Sequence, residues 1–461
     1  MDVAETLRDL PGLALLESAR PGRKARWSFL TADPVAVLEA PSAGPDPFAE
    51  ARRLVARLDV GPLAGEPLGE KPPPFLGGLV GFLAYDLGHA LERLPTIARD
   101  DQALPRLRLA LHDWVVAFDR RDGRAWLAGR AVDGDRRRLG RRLAAVRARL
   151  ERGPRPRLDA RARPEPLVFR SSLDRAAYES GVEAIRAAIA RGDIYQANLT
   201  RRLSTSFQAD PWPLYRALRT GDPARFAAYL DLGVEGPSNG EPAPGTAERR
   251  GGRAIVSASP EPFLSVDRSG LVATDPIKGT RPRGATPEED RVLAAELLAS
   301  AKDRAENVMI VDVLRNDLGR VCRPGSVRVR RLCRLERTAA VQHLVSTVTG
   351  RLAPGRDAFD LLAASFPGGS ITGAPKIRAM EILEELEPVR RGPYTGAALW
   401  LGPDGAMASS ILIRTFVADG ARLSLNVGGG ITWRSDPAAE WDETVAKARG
   451  PLRAIGGREI G

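Results

Sequence analysis

Between Arg106 and Gly129 the chain reads RLRLALHDWVVAFDRRDGRAWLAG. Short runs rich in Leu, Val and Trp are broken by an Asp-Gly pair, the chemistry of a tight reversal between antiparallel strands. The same texture appears upstream in ARWSFLTADPVAVLEA (25–40) and FLGGLVGFLAYDLG (75–88). A chain patterned this way is restricted to antiparallel sheet with a few helices over roughly its first 150 residues.

Beyond that region strand-like runs alternate with helices. The stretch DRAAYESGVEAIRAAIARGD places Tyr178, Val182, Ile185 and Ile189 at helical spacing, with Gly192 as a stop. Residues 286–319 read as two consecutive helices: Thr286 and Glu289 have capping-box spacing, Pro287 takes the first helical position, and Gly319 ends the second. SDPAAEWDETVAKARG repeats the logic, with Ser435 or Asp436 as cap, Pro437 in the first turn and Gly450 as the expected stop. Leu139, Leu143, Val146 and Leu150 mark an amphipathic helix that runs into a Pro/Arg-rich stretch. That stretch is the expected boundary, dividing the chain into regions 1–165 and 166–461.

Composition excludes several kinds of chemistry. There are two cysteines, Cys322 and Cys333, and three histidines, of which only His343 lies in the C-terminal two-thirds. A disulfide scaffold and a multi-histidine metal site are therefore not expected. The net charge of +11 invites a nucleic-acid reading, but the arginines are scattered and aromatics make up only 5% of the chain. No run of about 18 apolar residues suggests a membrane span. The N-terminus lacks the basic start and apolar core of a secretory signal, so a cytoplasmic location without nucleic-acid or membrane partners is expected. Chemistry must rest on Lys, Glu, Asp and backbone groups.

Several patterns could carry it. Glu440 and Glu443 share a helical face, as do Asp303 and Glu306. Two such faces could hold Mg²⁺ through carboxylate oxygens, although spacing alone favours solvated surfaces with an ordinary Glu443–Lys447 pair. The glycine-rich FPGGSITGAPKIRAMEIL opens a helix with Lys376 at its start, and LNVGGGITWRSDP offers a second loop of backbone donors. Both suit carboxylate or phosphate, and Arg414 could join them. In PIKGTRPRG, Lys278 sits between a proline-led turn and Gly279, followed by Arg281 and Arg283. This arrangement presents either one reactive amine or a set of cations to an anion.

These segments also occur in one order with GDIYQANLT (192–200), SASPEPF (257–263), AENVMIVDVLRNDLG (305–319), VQHLVSTVTG (341–350), GPYTGAALW (392–400) and SSILIRT (409–415). Together they resemble the chorismate-utilising enzymes: the anthranilate, aminodeoxychorismate, isochorismate and salicylate synthases. The resemblance covers about residues 170–450 strongly and reaches the N-terminal region through LALLES and GFLAYDLG. It implies an α+β fold in which largely antiparallel sheets form a β-sandwich-like core with flanking helices. It also implies Mg²⁺ on Glu306 and Glu443, with Asp303 and Glu440 as neighbours. Arg414, Tyr394 and Gly428, Gly429 and Gly430 match the binders of the enolpyruvyl carboxylate. Thr372, Gly373 and Lys376 fall in a carboxylate-binding loop. His343 matches a histidine beside the departing ring hydroxyl, and Glu261 the acid that helps it leave. Leu15–Ser18 and the segment DPARFAAYLDL resemble an amino-acid pocket of relatives, from which Arg225 departs.

Two positions separate the branches of the family. Water-adding members carry a lysine where this chain has Gln196, which argues against isochorismate or salicylate synthesis. Anthranilate synthases have alanine where this chain has Lys278; aminodeoxychorismate synthases have PIKGT. The resemblance thus implies amination of chorismate at ring carbon 4 through a Lys278 covalent intermediate. Arg281 is expected to keep the amine neutral, and Gln196 to lie within the substrate site. Neither cysteine sits in a glutaminase-type turn, so a separate glutamine amidotransferase subunit is expected to supply ammonia. The near alternative is an anthranilate synthase component. A non-catalytic basic binding protein on the same fold is the alternative of a different class, opposed by the joint presence of Glu261, His343, Glu306, Arg414 and Glu443.

Overall fold

The computed structural model describes residues 1–20, 26–61, 72–153, 166–233, 251–338 and 341–460. Its described strands form two sheets, one of twelve and one of ten. Every pairing is antiparallel except that of Gly457–Ile460 with Leu167–Ser171. The Asp122-Gly123 signal lies in the turn between strands Trp114–Asp119 and Arg124–Gly129, which pair antiparallel.

The two sheets pack face to face. Phe29, Val115, Ala228 and Ile255 from the larger sheet meet Val80, Phe82, Ala398 and Trp400 from the smaller in one buried cluster. Strand Gly78–Leu83 is buried along its whole length, which explains its continuous apolar run in place of alternation. Helices cover both outer faces. Trp212, Tyr215, Leu218 and Leu452 pack under the larger sheet, and Val311, Leu318, Phe359 and Leu362 under the smaller. The architecture is the expected α+β sandwich with flanking helices. The Pro/Arg-rich residues 154–165 lie outside the described set, and strands from either side of them enter both sheets.

The expected capping devices form. Thr286 and Glu289 make a reciprocal capping box for helix Pro287–Ala299. Ser300 ends that helix and caps the next, Ala301–Gly319, by accepting from the Asp303 amide. Asp436 caps helix Pro437–Ala454. Gly450 does not stop this last helix. It continues to Ala454 because Ala448 and Leu452 are buried against the sheet, and the left-handed turn falls at Gly456 instead (φ 73°).

Candidate active site

The site is built where the larger sheet splays. Strand Arg422–Ile431 pairs through its whole length with Gln196–Ser206, but Thr415–Asp419 pairs only with Leu423–Leu425. Beyond Leu425 one edge of the glycine strand has no strand partner among the described residues. Gly428–Gly430, expected as a loop, therefore belong to a strand, held there by the ladder to Asn198–Thr200. Two helices and the lysine strand Ile277–Pro282 supply side chains around that free edge.

The glycines leave room for what surrounds them. A β-carbon at Gly429 would lie 2.9 Å from Glu440 Oε2 and 4.0 Å from Glu443 Oε1. One at Gly430 would lie 2.7 Å from Gln196 Nε2 and 3.5 Å from Lys278 Nζ. Lys447 Nζ donates to the Gly428 carbonyl (2.8 Å) and contacts Glu443 (2.7 Å). The Gln196 side chain is fully buried, and neither its oxygen nor its nitrogen has a hydrogen-bond partner. Buried carboxamides are rarely left so, which marks a surface shaped for a missing polar group.

Lys278 enters from the smaller sheet. It pairs with Leu344, and a bulge at Gly279 brings Thr280 opposite His343. Gly279 has φ 77°, and a β-carbon there would lie 2.9 Å from Asp303 Cβ. The bulge thus seats the lysine loop directly on the two capped helices, and only glycine fits. Thr280 Oγ1 lies 2.9 Å from His343 Nδ1. Burial, with the nearby Arg225 and Arg414 guanidiniums, lowers the His343 ring to about 4, so it is neutral near pH 7.

Four carboxylates face this region with different tendencies. Burial pushes Glu261 above the ordinary glutamate value, while a 2.9 Å hydrogen bond from Ser370 and the Lys278 charge act against it. Burial also raises Glu306, with Asp303 and Glu440 adding repulsion and Lys278 and Lys302 opposing. Glu440 is raised by burial despite the hydrogen bond it accepts from Ser435 (2.6 Å). Partial desolvation acts the same way on Glu443, but Lys447, Lys302 and Lys278 outweigh it and hold this carboxyl low. The Lys278 charge thus acts on Glu261, Glu306 and Glu443 alike.

Other expected residues have partners of their own. Lys376 Nζ is held by the buried Asp317 carboxylate (2.8 Å) and the Ser365 carbonyl (2.9 Å), so its ammonium is already engaged. Arg281 is bound to Glu296 (2.8 Å) and Asp303 (3.3 Å); these carboxylates, not the Lys278 amine, absorb its charge. Asp303 accordingly supports the bulge. Tyr394 and Thr372 are buried, and Gly373 pairs with Ala197. Arg414 is half exposed and 3.6 Å from Asp222. Leu16–Ser18 and Arg225–Ala228 do line one cavity of ≈170 Å³, together with Trp27, Phe29 and Trp400.

Sequence reasoning missed Ser370 and Lys302 as supports, and it read Thr280 as tightening the Lys278 loop without its contact to His343. Ser370 lay within the quoted GGSITG, but its carboxylate partner is 109 residues away in the chain.

The family model for chorismate binding enzymes matches residues 14–453. This chain belongs to the chorismate-binding enzyme family. It is 41% identical to anthranilate synthase component 1 of Streptomyces coelicolor over 459 residues, 96% of this chain and 83% of that one. It is also 41% identical to aminodeoxychorismate synthase component 1 of Klebsiella aerogenes over 388 residues, 83% of this chain and 78% of that one. The crystal structure of anthranilate synthase component I from Streptococcus pneumoniae superposes with a TM-score of 0.78 at 30% identity, covering 94% of this chain and 93% of that one. MenF, the menaquinone-specific isochorismate synthase of Escherichia coli, shares the fold with a TM-score of 0.71 at 18% identity, covering 99% and 91% of the two chains. As a member of this family the chain acts on chorismate, and no helix among its described residues is long and apolar enough to cross a membrane.

Proposed function

We propose that this family member aminates chorismate at ring carbon 4, giving 4-amino-4-deoxychorismate. The observation that carries the reading is the Lys278 amine beside Gly430 and Gln196, its charge acting on the carboxylates of Glu261, Glu306 and Glu443. A nucleophile at that point can do what an alanine cannot.

In the proposed reaction the Lys278 nitrogen forms a bond to ring carbon 2. The ring double bond shifts, and the carbon 4 oxygen leaves as water with a proton from Glu261. Hydroxide is a poor leaving group unless protonated, and burial shifts Glu261 in the direction that favours its protonated form. Ammonia then bonds to carbon 4, the double bond shifts back, and the Lys278 nitrogen is expelled from carbon 2. The net change is exchange of hydroxyl for amine with release of water. Neutral His343, fixed through Thr280, offers a hydrogen-bonding group without adding positive charge.

The donor set fits Mg²⁺. Glu306 and Glu443 supply hard oxygen ligands, and Glu306 Oε1 is buried without a hydrogen-bond partner. Among the described residues no cluster of three or more such ligands is assembled, so water and substrate oxygens would complete the shell. A bound ion would neutralise and fix the substrate's ring carboxylate. Arg414 and Tyr394 are proposed to hold the second carboxylate, and a glutaminase subunit to supply ammonia.

Anthranilate formation is the second reading, favoured by the relatives of that name at equal identity. Incubation with chorismate, Mg²⁺ and ammonium separates the two. Amination at carbon 4 with no pyruvate supports the proposal; pyruvate together with fluorescent anthranilate overturns it.

A further inference from the structure

We propose that Arg391 is a positioning residue, whose guanidinium fixes the spacing of the three segments that carry Gln196, Thr372–Gly373 and Tyr394. The inference deepens the functional reading, resting on chorismate as the ligand of this site.

Arg391 is 2% exposed and sits on the core side of the site. Its Nε and Nη2 donate to the two oxygens of Glu387 at 2.8 and 2.7 Å. Nη1 donates to the Ile371 carbonyl (2.9 Å), and Nη2 to the Asn198 carbonyl (2.6 Å). Nη1 also reaches Thr395 Oγ1 at 3.4 Å. Glu387 Oε1 in turn accepts from both the amide and the hydroxyl of Thr200, each at 2.9 Å.

What these contacts hold matters more than their number. Asn198 and Thr200 are the strand partners of Gly430 and Gly428. Ile371 immediately precedes Thr372 and Gly373, and Thr395 follows Tyr394. One rigid fork therefore spans the strand that pairs with the glycines, the loop after Ser370 and the tyrosine turn. Tyr85 closes over it, its ring centroid 4.4 Å from the guanidinium carbon, while Asp86 accepts from the Gly392 amide (2.8 Å). A lysine could not reproduce these directions, because an ammonium has three donors on one flexible stem rather than five in a plane.

A buried ion pair is a poor device for stability alone, since apolar residues of similar volume often do as well or better. The geometry around Tyr394 points to placement instead. Thr395 is fully buried and β-branched, yet its φ is 58°, in the left-handed region such residues avoid. Its hydroxyl donates to the Tyr394 carbonyl at 2.6 Å. A strained turn persists only when its surroundings over-determine it, and Arg391 is one of the groups that do so.

The test uses the full chain and two variants, Arg391→Lys and Thr395→Gly, the latter leaving the Arg391–Glu387 pair intact. Thermal melting reports folding, calorimetry reports the chorismate Kd, and steady-state rates give KM for chorismate and for ammonium. A misplaced pocket should weaken chorismate binding about tenfold or more in folded Arg391→Lys, while KM for ammonium stays within about twofold. In Thr395→Gly the expected loss is several-fold. A folded Arg391→Lys that binds chorismate like the wild type overturns the proposal. If that variant does not fold, wild-type binding by folded Thr395→Gly overturns it. Should the wild type bind chorismate but form anthranilate, the proposed reaction fails while this comparison of Kd still stands.

Discussion

The amine of Lys278 and the carboxamide of Gln196 converge on Gly430, at 3.5 and 2.7 Å from the point where a β-carbon would stand. The first comes from the smaller sheet and the second from the larger, so both sheets meet at one backbone position.

Gly430→Ala is therefore expected to act on chemistry more than on folding. The clash is with the end of a side chain, which can turn aside, so melting should shift by only a few degrees. Displacing Gln196 and crowding Lys278 should lower kcat/KM by about a hundredfold. Melting curves and ammonium-dependent kinetics on the same preparation check both halves.

Gly279→Ala should behave in the opposite sense. Its φ of 77° strains any side chain, and the new methyl meets Asp303 Cβ, next to the helix backbone, at 2.9 Å and the Leu297 Cδ1 methyl at 3.0 Å. Backbone strain, with crowding against the Asp303 β-carbon, should cost about 1–3 kcal/mol of stability, read from urea titration.

Local patterns were legible in the sequence because their causes are local. The Thr286–Glu289 capping box, the Pro437 helix start and the Asp122-Gly123 turn depend on neighbours a few residues apart. Spacing put the carboxylate pairs on two helical faces but favoured solvated surfaces for them, whereas Lys278 stood out by its proline and glycine frame. What stayed hidden is set by sheet register. Ser370 meets Glu261, Thr280 meets His343, and Lys376 meets Asp317 across separations of 109, 63 and 59 residues. Arg281 was read beside its sequence neighbour Lys278, but its charge goes to carboxylates on the two helices behind it. The three glycines looked like a loop because their strand partner lies more than 200 residues upstream.

Glu261 should leave a signature in the pH dependence of stability. Burial raises its folded pKa above the ordinary glutamate value, so the unfolded chain loses its proton first as pH rises. Above that point the folded state binds more protons, and stability from this group falls with pH. Glu261→Gln removes the decline. The variant should gain in melting temperature relative to wild type on going from pH 4 to pH 8, and should lose about a hundredfold or more in amination rate. A temperature difference independent of pH would contradict the assignment.

Lys376→Met should be a stability variant. It leaves the Asp317 carboxylate, 4% exposed, without its partner. Breaking such a buried pair costs about 3–5 kcal/mol, while KM for chorismate in the folded protein should stay near the wild-type value. A large rise in KM at unchanged stability would instead place Lys376 on the substrate.

The covalent role of Lys278 is tested most directly by mass spectrometry of the protein mixed with chorismate and Mg²⁺ in the absence of ammonia. The account predicts a peptide containing Lys278 heavier by chorismate less water, discharged to 4-amino-4-deoxychorismate when ammonium is added and absent from Lys278→Ala. Amination at carbon 4 by the Lys278→Ala variant at the wild-type rate, with no adduct on the wild type, would contradict it.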